Sequence, residues 1–210
     1  MVMGEYCLRP RFTFQLCDAL LAGESINLIS PHGQGRRRTL QDLHVIFPKS
    51  WRILQVDMKA VETSDSSFLD ALFAQAKIKN IANIYDLMSE LNKTSTYNLM
   101  IIHNFDLLTD LNVISCLNEM KNYPYLSLLC VSEEKQKNST LLARDCMLPR
   151  VTSEQLLAEI KRRGFALNQA DMLLLVAFLL QQISSYSLLD AKPKSWFEQG
   201  LWKSNGLVCK

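Results

Sequence analysis

A six-residue turn, Ser30-Pro31-His32-Gly33-Gln34-Gly35, separates the apolar run Ile26-Asn27-Leu28-Ile29 from a segment in which Leu40, Leu43 and Phe47 recur at helical spacing. Strand, glycine loop and helix in that order is a layout that cradles phosphate. Backbone N–H groups after the glycines face an anion, and the helix N-terminus favours negative charge. The side chains depart from the pattern G-x-x-x-x-G-K-[ST]. Ser30 stands at the first glycine, Gly35 at the second, Arg36 at the lysine and Arg37 at the hydroxyl that would hold magnesium. Arg36, Arg37 and Arg38 at a helix start oppose the macrodipole unless something negative lies among them. With Gly33 and Gly35 they form a candidate anion site, because a guanidinium grips phosphate or carboxylate with a two-pronged fork. The same residues also fit a solvated basic turn whose arginines pair with nearby acids. His32 is either a phosphate donor or a plain turn residue.

Other candidates are more scattered. His103 ends an apolar run and is either a ligand or base, or a hydrogen-bonded polar residue. Asp57 and Asp106 are carboxylates near strand ends, where ligands bind in open sheets, and pairing with a loop arginine is the role expected of them. Lys161, Arg162 and Arg163 form a second basic cluster at a helix C-terminus, where cations are favoured for ordinary reasons. Trp196, Phe197 and Trp202 either fold back on the domain or anchor a partner. Nothing brings a Ser–His–Asp or Cys–His set together, so no catalytic residue is assigned.

The chain has 210 residues, 48% of them hydrophobic, which is enough for one domain and an extension with a sizeable core. A net charge of +2 neither requires nor excludes nucleic acid, so any basic site must be local. Cys7, Cys17, Cys116, Cys130, Cys146 and Cys209 show no C-x-x-C pair and read as reduced thiols in a cytoplasmic protein, with no metal site. The start, MVMGEYCLRPRF, lacks the apolar stretch of a signal peptide. Met172 to Leu180 is the longest apolar run, well short of the roughly 20 residues that span a bilayer, so no membrane insertion is expected.

Elements that position these residues follow from periodicity. A helix over Pro10 to Ala22 stops at Gly23, with Phe12, Leu16, Ala19 and Leu20 on its apolar face. Pro48 closes the helix after the glycine loop, and Trp51 to Met58 is a second strand. Ala60 to Leu91 is mostly helical, with Ser64, Asp65 or Ser67 as a cap. One apolar cluster there is Phe68, Leu69, Leu72 and Phe73, and another is Ile81, Ile84, Leu87, Met88 and Leu91. Asn98 to Ile102 and Leu126 to Val131 are buried strands, Leu107 to Met120 is a helix, and Cys146 to Leu148 is a fifth strand. Ser132 to Ser139 reads as a charged surface loop. Thr152 and Gln155 have capping-box spacing for a helix ending at Gly164. Asn168 caps the next helix, which runs to about Ile183 and is apolar nearly all round, so burial on most sides is expected. Strands alternating with helices predict a three-layer α/β fold with a five-stranded parallel sheet, followed by a small C-terminal helical lid. The expected division is 1–150 for the α/β domain, 151–185 for the lid and 186–210 for an aromatic-containing tail.

Over about residues 9 to 183 this order resembles the AAA+, origin-recognition and STAND branch of P-loop ATPases. The resemblance places the family's two acidic Walker B positions at His103 and Asn104, its polar sensor at Ser132, and the passage into the lid at Leu148-Pro149-Arg150-Val151-Thr152. It therefore implies that lysine, metal-binding hydroxyl, metal-binding aspartate and water-activating glutamate are all replaced. The hydroxyl and aspartate hold magnesium against the phosphates, and the glutamate positions water. Loss of one such electrostatic contact costs about 10²–10³ in rate. The expectation is a catalytically degenerate, non-hydrolysing interaction or regulatory subunit of a larger complex in the bacterial or another reducing cytosol. It would have protein partners and no required cofactor. Two alternatives stay open. One is a sensor that binds a nucleotide, without magnesium, or another phosphorylated ligand at Arg36–Arg38. The other is a nucleic-acid binding module, for which three phosphate contacts give a log–log salt slope of about −2.7 on duplex DNA.

Overall fold

Parallel strands covered on both faces read as continuous apolar runs. Ile26–Ile29 (β1) is buried throughout, Asn98–His103 (β3) is buried up to its last residue, and Leu126–Ser132 (β4) is buried along all of it. The computed structural model describes residues 7–63, 67–76, 83–93, 96–135, 143–165 and 167–186. Five strands form one parallel sheet in the order β2-β3-β4-β1-β5, where β2 is Arg52–Asp57 and β5 is Arg144–Met147. Before and between the strands run α1 (Pro10–Leu21), α2 (Arg36–Ile46), α3 (Met58–Thr63), α4 (Phe68–Ala76), α5 (Ile84–Lys93) and α6 (Leu111–Met120), and α7 (Ser153–Arg162) and α8 (Gln169–Tyr186) follow the sheet.

Alternation along the strands divides the core into two layers. Met100, Ile102, Leu126, Leu128 and Cys130 pack with Phe68, Leu72, Leu87, Ile114 and Leu117 from α4, α5 and α6. Leu99, Ile101, Leu129, Val131, Ile26 and Leu28 pack with Leu16, Leu20, Leu40, Leu43 and Phe47 from α1, α2 and its end. The sheet is thus sandwiched as expected, and all five carboxyl ends lie along one edge. β5 is the exception to the buried pattern. It is an edge strand with largely exposed residues, and its charges are paired, Arg144 with Glu24 at 2.9 Å and Asp145 with Lys135 at 2.7 Å.

Capping chemistry sets several boundaries. Gly23 takes φ +84° after α1, a conformation an L side chain rarely adopts. The Thr152 side chain accepts from Gln155 N, and the Gln155 side chain accepts from Thr152 N, the reciprocal box the spacing predicts. Asn168 Oδ1 accepts from Asp171 N at 2.8 Å, as a cap for α8. Of the three caps considered after α3, Ser67 serves, its Oγ accepting from Asp70 N at 3.1 Å, while Ser64 and Asp65 lie outside the described residues.

Some boundaries differ from the sequence expectation. No single helix runs from Leu107 to Met120. A 3-10 turn occupies Phe105–Leu107, and α6 starts at Leu111 because Asp110 Oδ1 accepts from Asn112 N at 2.8 Å. The Ala60 to Leu91 stretch holds separate helices, and α3 begins directly at the end of β2. β2 is shorter than Trp51 to Met58, and β5 begins two residues before Cys146 because Arg144 N bonds Ser25 O. Ser132 is the last, fully buried residue of β4, not part of a surface loop. Of the described thiols Cys7, Cys17, Cys116, Cys130 and Cys146, all are free, and Cys209 lies outside the described residues.

The largest correction concerns α8. Apolar on most sides, it was expected to be buried on most sides, yet Leu173, Leu174 and Phe178 are 53%, 69% and 48% exposed. Val176 is buried, and the helix packs on α7. An all-round apolar pattern measures how much surface could be covered, and the described residues cover one side of it. Among the described residues no helix is long and apolar enough to cross a membrane.

Leu28 is fully buried in β1 between β4 and β5. Leu28→Ala should lower stability by about 2–5 kcal/mol in urea unfolding, the cost of a cavity in a close-packed core. A loss below about 1 kcal/mol would show that this strand is not central to the fold.

Candidate functional site

The loop between β1 and α2 is held from beneath by Arg9, which precedes α1 and is 2% exposed. Arg9 Nη2 donates to Gln34 O, Nη1 to Thr39 Oγ1 at 2.8 Å, and Nε to Pro149 O at 2.8 Å. One guanidinium therefore joins the loop, the first turns of α2 and the connection between β5 and α7. Burial pulls its pKa down to about 10, against the charges of Asp42 and Cys7, so it is still a cation at neutral pH. Leu8 N donates to Asp42 Oδ2 at 2.8 Å and seats the same segment on α2. Gly35 takes φ +73°, and a Cβ there would meet Leu8 Cδ2 at 3.2 Å and Arg9 Nη1 at 3.5 Å. Both the backbone angle and the close approach call for glycine. Gly33, at φ +77°, has open space around it. Nothing in the periodicity around Arg9 marks it, and sequence reasoning missed it.

Gly35 is the N-cap of α2, and no side chain caps the helix. The three arginines that follow have different surroundings. Arg36 Nη2 lies 3.4 Å from Asn104 Oδ1 and 3.6 Å from Glu133 Oε1, while its Nη1 is buried without a hydrogen-bond partner. Arg38 Nε is 2.8 Å from Asp42 Oδ1, one turn along α2, and Nη1 is 3.8 Å from Glu159 Oε1 on α7. Arg37 is exposed and makes no ion pair among the described residues. Carboxylates from the β4 end, α2 and α7 thus offset the charge that opposes the helix dipole. His32 Nδ1 also lies 3.6 Å from Glu133. Ser30 Oγ and Gln34 Oε1 are buried in the loop without hydrogen-bond partners.

His103 and Asn104 end β3 beside Arg36. Asn104 adopts φ +51°, tolerated by a short amide side chain. Its Nδ2 donates to Asp57 Oδ1 at 2.7 Å while its Oδ1 faces Arg36. Asp57 Oδ1 also accepts from Lys59 N at 3.0 Å, at the start of α3. The pairing expected between Asp57 and a loop arginine is thus indirect, because Asn104 stands between them. Asp106 is exposed on the 3-10 turn and has no loop arginine as partner. His103 Nε2 is 3.3 Å from Gln55 Oε1, and burial lowers its pKa below the usual histidine value, with Arg36 adding to the effect against Asp57. Ser132 Oγ donates to Asn27 Oδ1 at 3.3 Å.

Gly33, Gly35, Arg36, His103, Asn104 and Ser132 therefore come from three strand ends to one edge of the sheet, while Arg38 turns toward α7. In the second basic cluster, Arg162 and Arg163 both bond Glu159, at 2.6 Å and 2.9 Å. Trp196, Phe197 and Trp202 lie outside the described residues. Among the described residues no group of His, Cys, Asp and Glu could hold a metal ion.

The fold has a counterpart in solved structures. A Walker-type ATPase of Pyrococcus abyssi superposes with a TM-score of 0.54 at 11% identity, over 78% of this chain and 61% of that one. The fold is P-loop NTPase-like. The resemblance stated from the sequence holds at that level. A chain of Drosophila ORC bound to DNA (TM-score 0.47, 12% identity, 76% of this chain and 46% of that one) and C. elegans PCH-2 (0.46, 12%, 93% and 57%) are matched below the level at which a likeness carries weight. The chain spans about half to three fifths of the length of these three. No family model and no curated protein matches it.

Two outcomes follow from this geometry. Arg9→Ala leaves Gln34 O, Thr39 and Pro149 O without their donor, and should destabilise by at least about 2 kcal/mol in urea unfolding. A neutral effect would show that Arg9 does not brace the loop. The Glu159 carboxyl is held at about 2, from an ordinary 4.5, chiefly by the Arg162 hydrogen bond and also by Arg163 and the charge of Arg38, with burial opposing. A depressed carboxylate stabilises above its unfolded pKa, and that stability is lost as pH falls from about 4.5 toward 2. Unfolding midpoints measured against pH should therefore fall less steeply over that window in Glu159→Gln than in the wild type.

Proposed function

We propose that this chain is a catalytically degenerate P-loop protein, using the fold as a non-hydrolysing interaction or regulatory subunit of a larger complex. The observation that carries the reading is Arg36. It stands where phosphate chemistry uses lysine, and its guanidinium already faces Asn104 and Glu133. A cation engaged by the protein's own acceptors has less to offer a triphosphate. Arg37, His103 and Asn104 supply neither the hydroxyl nor the carboxylates that hold magnesium and position water. The exposed apolar side chains Leu173, Leu174 and Phe178 on α8 support a protein partner, since contiguous exposed apolar surface marks interaction sites. A reducing, cytoplasmic setting remains part of the proposal through the free thiols.

A second reading, a sensor for a phosphorylated ligand bound without magnesium, is favoured by Arg37. It is exposed and lacks an ion pair among the described residues.

Magnesium-dependent ATP hydrolysis should equal the protein-free blank. Turnover that disappears in Arg36→Ala or His103→Ala would sink the leading reading. Thermal unfolding with ATP, ADP or GTP, each with and without magnesium, separates the second. A ligand at 100 times its dissociation constant adds about 2.7 kcal/mol, visible as a shift. The sensor reading requires a magnesium-independent shift that Arg36→Ala/Arg37→Ala removes, and a shift that survives the double substitution places the ligand elsewhere.

A further inference from the structure

A crevice of about 930 Å³ opens beside the loop, at the β2 edge of the sheet. One wall is the face of α2 that carries Arg37, Leu40, Gln41 and His44, spaced to lie together on successive turns. Ala60 and Val61 of α3 with Ala71 and Gln75 of α4 form the other wall, and the ends of β2 and β3 lie between. No residue of the glycine loop from 30 to 35 lines it.

The polar groups of this crevice are mostly donors. Gln55 Oε1 is engaged by His103 Nε2 at 3.3 Å, and Gln75 Oε1 accepts from Gln55 N at 3.1 Å. Their amide N–H groups are left as the donors open to a ligand. Asp57 Oδ1 accepts from Asn104 and from the start of α3, and its carboxylate adds one negative charge to the strand-end floor. Arg37 is uncompensated among the described residues, while Arg36 Nη1 is enclosed by the protein itself. Leu40, Val56, Val61 and Ile101 make the remainder apolar. A ligand that uses these donors brings acceptors for the amides and a negative charge for Arg37, with an apolar face between them. The volume lies in the range of small-molecule sites.

We propose that this crevice binds a phosphate monoester carrying an acceptor-rich organic body, without a divalent metal. The phosphate lies against the exposed Arg37 guanidinium, and the body lies over Leu40 and Val61, within reach of the Gln55 and Gln75 amides. The proposal rests on the sensor reading for its anion end and departs from it in placing the ligand along α2 instead of on the loop amides.

The test uses the full chain in magnesium-free buffer with AMP as the probe, and with adenosine and inorganic phosphate as its two halves. Calorimetry should show AMP binding at least tenfold more tightly than either half. Arg37→Ala should weaken AMP at least tenfold. Gln41→Ala and His44→Ala, both at exposed positions, should each weaken AMP severalfold and leave the unfolding temperature unchanged. Amide NMR should move the side-chain resonances of Gln55 and Gln75. If AMP moves only the Gly33 and Gly35 amides, and Gln41→Ala and His44→Ala bind as wild type, the crevice is overturned while the sensor reading stands. If AMP neither binds nor moves a resonance, the crevice is overturned and the sensor reading loses its support for this ligand class.

Discussion

One buried guanidinium sets the geometry of the loop edge. Arg9 is taken out of water at a cost that lowers its pKa, and its donors are distributed over Gln34 O, Thr39 Oγ1 and Pro149 O. An unpaired buried charge would be untenable, so the three acceptors must stay where they are for the fold to persist. That requirement links segments far apart in sequence: the residues before α1, the turn after β1 and the chain leaving β5. The last glycine of the loop is part of the same constraint, since Leu8 and Arg9 leave no comfortable room for a Cβ at Gly35.

The charge pattern of α2 follows from its neighbours. Three cations at a helix start are unfavourable in isolation. Here the surrounding elements answer them unequally, with Glu133 and Asn104 at Arg36, Asp42 and Glu159 at Arg38, and open solvent at Arg37. Arg36 and Arg38 are thus paired with neighbouring acceptors, as in a basic turn, while Arg37 faces solvent. Glu159 also serves Arg162 and Arg163, which makes α7 electrostatically continuous with α2.

Much of the architecture was legible because it rests on local rules. Four-residue apolar runs mark buried parallel strands, Gly23 and Gly164 mark helix ends, and the spacing of Thr152 and Gln155 marks a reciprocal cap. What stayed hidden depends on distant partners. Arg9 looks like any arginine before a proline, and only the fold brings it beneath residues 25 to 140 positions away. The start of α6 was missed because Asp110 competes as a cap with an apolar pattern that begins earlier. Burial of α8 was overestimated because periodicity records the character of a surface without recording what lies against it.

Among the described residues, β5 forms one margin of the sheet. The outer margin of an edge strand offers a row of N–H and C=O groups to any extended chain. β5 is only four residues long, and it carries Arg144 and Asp145, each tied to an opposite charge beside it. A strand added from another molecule would have to break or straddle those pairs for a very short ladder in return. Among the described residues the sheet therefore ends at this margin, with the charges of its last strand paired.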